Sequence, residues 1–329
     1  MRAGLKGYKV DLLECQQLAV RTDQQVDDPE RRLLVALLGL AGEVGTLLTE
    51  HKKWLRDGEA HDRTTGVAED IGDILWYLAT AASALNLDLS EVAQNNIVKT
   101  TDRWPQAGRV RNDALDVDLP PARVFDHEFR PEQRLPRHLT VALAPLPGDQ
   151  SRVVGITEDG AALGNLVGDN AYDDDGYRWH DAIHLAHLAV LGWSPVLRAL
   201  LRRKRKDRPV VDDVEDGGRA IAIEEGIVAG VFDYASQRKW LVGVSAVDTT
   251  LLAGLRSLTR GLEVRVLSLL EWEQAILRGF ACWRELRAND GGMLHLDLDR
   301  RQLEHRPLTA TERADHAMAV ERVLLEGLK

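Results

Sequence analysis

Two groups of side chains in this sequence carry the residue types and spacing for chemistry. The first is acidic. Glu69, Asp70 and Asp73 lie in the stretch EDIGDILWYL, where a run of large apolar residues follows at once. On a helix, positions three and four apart share a face, so Asp70 and Asp73 point the same way. Ile71, Ile74, Leu75 and Leu78 fill much of the rest of the turn, and Glu43 in GLAGEVGTLL is likewise bordered by apolar residues. Carboxylates at the edge of an apolar stripe are costly unless paired or metal-bound. Hard oxygen donors from facing helices suit Mg²⁺, with Mn²⁺ as a substitute. Close helix approach at such a site would account for Gly42, Gly45 and Gly72. Spacing alone is equally compatible with a solvated face paired to Lys52 and Lys53.

The second group is the run RWHDAIHLAHLAVLGW, which places His180, His184 and His187 at i, i+4 and i+7 with Asp181 adjacent. Glu224 and Glu225 follow on another helical stretch, with Glu215, Asp216, Arg219 and Asp233 around them. Two histidines one turn apart plus acids from a second helix could bind a transition metal or act as an acid/base site. The competing reading is a buried polar network in which histidines pair with acids across helices. The segment HDAIH lacks the glutamate of the zinc-protease motif.

The elements that must position these groups follow from periodicity. Residues 1 to 105 read as four helices with short connections, which argues an all-α four-helix bundle. Gly58 is a stop for the second helix, Ser90 a cap for the fourth, and Pro105 lies beyond its end. Residues 106 to 135, with Pro120, Pro121 and Pro131, read as a linker. From 136 to 329 the pattern is α+β and mostly helical. RHLTVALAPL, SRVVGITED and AALGNLV form short antiparallel strands, helices follow, GGMLHLDLD and QLEHRPL form a late pair, and a last helix starts at Thr309.

Composition bounds the rest. With 329 residues, the chain is about right for two domains. The net charge of -10 makes nucleic acid an unfavourable partner and asks for a metal beside any phosphate-bearing ligand. Two distant cysteines, Cys15 and Cys282, fit a reducing cytoplasm. No signal peptide and no apolar run sufficient to cross a bilayer is expected. The basic run from Arg202 to Lys206 reads as a solvated loop end.

GLAGEVGTLLTEHKKWLRDG, EDIGDILWYL and NNIVKTTDRW, in that order, resemble the MazG-type all-α nucleoside triphosphate pyrophosphohydrolases over about Tyr8 to Trp104. The resemblance implies a bundle that dimerises and an enzyme cleaving a (d)NTP to a (d)NMP and pyrophosphate with Mg²⁺. It implies that Glu43, Asp70 and Asp73 are the metal ligands and catalytic acids. Lys53, Asn96, Lys99 and Arg103 are implied nucleotide contacts. Thr46 stands where the family carries a second glutamate; Glu50, two turns beyond Glu43, could compensate. Trp54, Trp76 and Trp104 offer faces for a base. The resemblance gives residues 136 to 329 no activity, and His180, Asp181, His184, Glu224 and Glu225 are their candidate second site, with a second metal. Two other functions fit the same residues: a nucleotide-sensing module that has lost turnover at Thr46, and a metallohydrolase centred on the histidine cluster.

Overall fold

A computed structural model describes residues 10–24, 28–58, 63–103, 115, 119–146 and 148–326. The chain divides into two compact units, Met1–Thr101 and Asp102–Lys329. The elements described in the first are all helices: α1 (Leu12–Thr22), α2 (Pro29–Asp57), α3 (Arg63–Ala84) and α4 (Leu89–Arg103). Local chemistry sets the ends. Asp28 caps α2 by accepting from the Glu30 and Arg31 N–H groups, Pro29 opens its first turn, and Gly58 closes it with φ 63°. Asp88, rather than Ser90, caps α4, accepting from Ser90 and Glu91 N–H. The Gln16 amide of α1 bridges the α3–α4 turn: it donates to Ser83 Oγ and the Leu87 carbonyl and accepts from Leu89 N–H.

α3 packs along α2 and, less extensively, α1. The close approach of α2 and α3 is at Gly39, where a Cβ would collide with the Tyr77 ring, and at Gly66, where it would press on Glu50. At Gly42, Gly45 and Gly72 a Cβ would meet nothing within 4 Å among the described residues. Among the described residues, helix contact therefore does not explain those three glycines. Leu34, Leu38, Leu48, Leu55, Ile97 and Val98 are all more than half exposed, so this unit leaves broad apolar faces uncovered. The expectation that no segment suffices to cross a bilayer is corrected for α2, which does so by length and composition, with an 18-residue window of mean hydropathy 1.6.

The second unit is α+β. Strands β1 (His138–Leu146), β2 (Asp149–Thr157), β3 (Ala162–Gly168), β4 (Gly292–Asp297) and β5 (Gln302–Arg306) form one antiparallel sheet in the order β3-β2-β1-β4-β5. The late pair thus joins the early strands, with His138 opposite Asp297 and Leu143 opposite Gly292. Between β3 and β4 run α5 (Asp181–Ala186), α6 (Pro195–Leu200), α7 (Pro209–Val214), α8 (Gly218–Ser236), α9 (Thr249–Leu258) and α10 (Leu269–Ala288). α11 (Ala310–Glu326) closes the described chain. Strand alternation sorts the sheet: Val141, Leu143 and Val153 face the helical core, whereas Val154 and Ile156 pack with Val320 of α11. α10 is buried on nearly every side, with Trp272, Ile276, Phe280 and Trp283 at its centre.

The stretch read as a linker is, from Leu119 onward, part of this unit. Leu119, Ala122, Val124 and Phe125 pack against the core, and Leu135 lies in it. Buried arginines hold its backbone: Arg198 donates to the Gln133 carbonyl, Arg205 to Phe125 and Arg301 to Pro120. Proline-rich composition signalled irregular backbone; long-range donors then satisfied its carbonyls and let it pack. Arg205 is likewise no solvated loop residue. It is 1% exposed and ion-paired with Asp216 and Glu263.

Candidate functional site

In the first unit the acids lie on the paired helices α2 and α3. The contacts of Gly39 with Tyr77 and of Glu50 with Gly66 set an antiparallel register. In that register Glu43 is level with Asp73, and Thr46 with Asp70. Asp70 is 7% exposed, and its buried Oδ2 has no hydrogen-bond partner among the described residues. An orphaned buried carboxylate oxygen is costly and calls for a cation. Glu43 and Glu50 are half-buried and Asp73 exposed. Among the described residues, no three of these acids bring ligand oxygens within 4.8 Å of one another. The donor set and the Asp70 oxygen suit a hard dication, while the distances leave the set open.

The neighbours are equally specific. Lys53 is ion-paired to Glu50, so each is engaged by the other. Thr46 Oγ1 donates back to the Gly42 carbonyl of its own helix. Trp76 Nε1 donates to Thr22 Oγ1, tying α3 to the end of α1. His51 stacks on Trp54. Asn96 and Lys99 lie on the exposed surface of α4. The Arg103 side chain and the whole of Trp104 lie outside the described residues.

The second unit draws its predicted residues together. His180, His184 and His187 run along α5 into a single π-helical turn, His187–Leu191, which Gly192 ends with φ 63°. A Cβ at Gly192 would collide with the Arg123 carbonyl, so glycine is required there. α8 brings Glu224 and Glu225 against this segment. Glu224 is fully buried and its carboxylate accepts from His184 Nδ1 (2.9 Å), His187 Nδ1 (3.1 Å), Ser194 Oγ (2.9 Å) and Val196 N–H (2.9 Å). Burial works against the ionised carboxyl, but His184 and His187 hold it down to about 2. Burial also works against a charged His184, yet Glu224 and Glu225 hold it up to about 10. Burial lowers His180 and His187.

His184 Nε2 lies 3.5 Å from Glu225 Oε2, and Glu225 is 45% exposed at its side chain. His180 Nδ1 lies 2.8 Å from the Tyr177 carbonyl, with the Tyr177 ring stacked on it. Asp181 Oδ1 lies 3.8 Å from His180 Nε2. Ligand atoms of His180, His184 and Glu225 fall within 4.8 Å of one another, as do those of His184, His187 and Glu224. Asp216 does not join this cluster: it pairs with Arg205 and Arg198. Ser194 and the Val196 N–H were not anticipated. The only local signal is Ser-Pro opening α6, which marks a helix cap and not a carboxylate receptor.

Comparison with known proteins adds a family and one relative. The model of the MazG C-terminal domain matches residues 120–309, more than half of the chain. That span holds all five strands and the histidine cluster; the resemblance read from the sequence lies before it. The Gene 37 protein of Mycobacterium phage L5 is 35% identical over 69 residues, which cover 20% of this chain and 60% of that protein. The chain thus spans less than two thirds of that relative. No solved structure matches. On the match over its sheet and helical core, the chain belongs to the family of MazG C-terminal domains.

Proposed function

We propose that the chain is an Mg²⁺-dependent nucleoside triphosphate pyrophosphohydrolase whose chemistry resides in the first unit. The observation that carries this reading is the buried Oδ2 of Asp70, without a hydrogen-bond partner among the described residues and placed beside α2 in register with Thr46. Membership of a MazG family supports it, as do the motif blocks of the first unit. Glu43, Asp70 and Asp73 would hold the metal, which when bound would neutralise triphosphate charge and lower the pKa of an attacking water. Lys99 and Arg103 would hold phosphate oxygens by charge-assisted hydrogen bonds. Lys53 would have to leave Glu50 to join them. Asn96 would orient the sugar or a phosphate oxygen from the same helix.

Dimerisation belongs to this proposal. The uncovered apolar faces of α2 and α4 fit a second copy. A bilayer is the weaker occupant for α2, because an acid such as Glu43 near a membrane centre costs about 2.5–3.5 kcal/mol. Sedimentation of the full chain decides it, since a strictly monomeric species would remove the dimer from the proposal.

A second reading has its own observation. Thr46, whose hydroxyl donates to the Gly42 carbonyl, offers a neutral oxygen where the family carries a carboxylate, and a nucleotide sensor without turnover is the alternative. Pyrophosphate release from a panel of canonical and modified dNTPs and NTPs separates the two. Asp73→Asn should lower Mg²⁺-dependent release by at least about a hundredfold, since a metal ligand is worth several kcal/mol in the transition state. Unchanged release in Asp73→Asn would refute the assignment. Nucleotide binding without release in the wild type would establish the sensor.

A further inference from the structure

We infer that His180, His184 and Glu225 form a binding site for a first-row transition-metal dication, separate from any Mg²⁺ held by the first unit. The inference starts from the ring nitrogens. The Tyr177 carbonyl can only accept a hydrogen bond, so His180 Nδ1 carries the proton and Nε2 presents a lone pair. His184 Nδ1 likewise donates to the Glu224 carboxylate, which turns Nε2 outward, where a bound metal would replace the proton that Glu224 and Glu225 otherwise hold on the ring. That Nε2 is buried in a side chain 1% exposed and makes no hydrogen bond among the described residues.

That nitrogen and Glu225 Oε2 stand 3.5 Å apart, an ion-pair distance rather than that of a good hydrogen bond. Two ligands of one tetrahedral ion with bonds of about 2.0–2.1 Å should lie about 3.4 Å apart. His180 Nε2 completes the triad, and the buried Asp181 carboxylate lies 3.8 Å from that nitrogen without joining the group. Two imidazoles and a carboxylate favour Zn²⁺, Mn²⁺ or Fe²⁺ over Mg²⁺ or Ca²⁺.

The neighbouring group of His184, His187 and Glu224 is not the site. Glu224 accepts from four donors and has no lone pair left for a metal. Its place is behind the ligand, where a carboxylate on the far nitrogen fixes the tautomer and raises the basicity of His184. Glu225, by contrast, reaches solvent, which gives an ion an entry path and leaves a coordination position for water or substrate.

The test uses the full chain without an affinity tag, stripped with chelator and titrated with Zn²⁺, Mn²⁺ or Co²⁺, with equilibrium dialysis and the visible spectrum of Co²⁺ as readouts. One equivalent should bind. Glu225→Gln, at a half-exposed position, should weaken it at least about tenfold, and His180→Ala about a hundredfold, in protein with an unchanged near-ultraviolet circular dichroism spectrum. Asp73→Asn should bind like the wild type. No binding tighter than millimolar, or wild-type affinity in both Glu225→Gln and His180→Ala, would overturn the site. Loss of the equivalent in Asp73→Asn would reassign it to the first unit.

Discussion

The two units hold their acids in opposite ways. In the first, Glu43 and Asp73 ride on helices whose flanking leucines face outward, and one oxygen, on Asp70, is enclosed. In the second, His184, His187 and Glu224 are at most 1% exposed and every Glu224 lone pair has a donor. Enclosure removes water as an alternative partner, so a polar group must be matched by protein or by an ion. The second cluster is therefore complete within one chain apart from the outward nitrogens. The first brings no three of its acids to a common ligand distance among the described residues and leaves its apolar faces uncovered.

The largest effect that tests this contrast is on stability. Glu224→Ala strips the partner from His184, His187, Ser194 and Val196 N–H at once and should cost about 3–5 kcal/mol. Glu43→Ala, at a half-buried position, should change stability by no more than about 0.5 kcal/mol. Urea unfolding of the full chain measures both, and equal losses would break the comparison.

The middle effect concerns acid. Burial alone would raise Asp126, but the Leu135 N–H and the Arg198 and Arg137 guanidinium groups hold it below the usual carboxylate range. A depressed folded value means the stabilisation is full above the unfolded value of about 3.9 and is lost as pH falls through the folded one. Asp126→Asn should therefore flatten the acid limb of the stability curve of the second unit. An unaltered limb would show that the clamp on residues 119–135 contributes nothing there.

The smallest effect sharpens the other side. Thr46→Glu places a carboxylate level with Asp70 and should tighten Mg²⁺ binding several-fold, read by titration calorimetry with Mg²⁺ alone. No change would mean that the acid set does not close on this register.

Much of the local structure was legible, for reasons confined to a few neighbouring residues. Gly58 marked the end of α2, and RHLTVALAPL read as the strand that is β1. The i, i+4, i+7 spacing put His180, His184 and His187 on one face, and the same reading named Glu224 and Glu225 from their own helix. Ser90 was preferred to Asp88 as a cap because both residue types cap and only the turn geometry chooses between them.

What the sequence by itself determined is the inventory: which faces are apolar, where helices and strands start and stop, and which acids and histidines share a face. Tertiary structure alone decided the partners. It gave Glu224 rather than Glu225 the buried place, sent Asp216 to Arg205, docked the proline-rich stretch through buried arginines, and moved the close contact of α2 and α3 from Gly42 to Gly39. The physical reason is the range of the forces. Propensity and capping act within about a turn. Desolvation of a charge is set by whichever distant residues exclude the water around it.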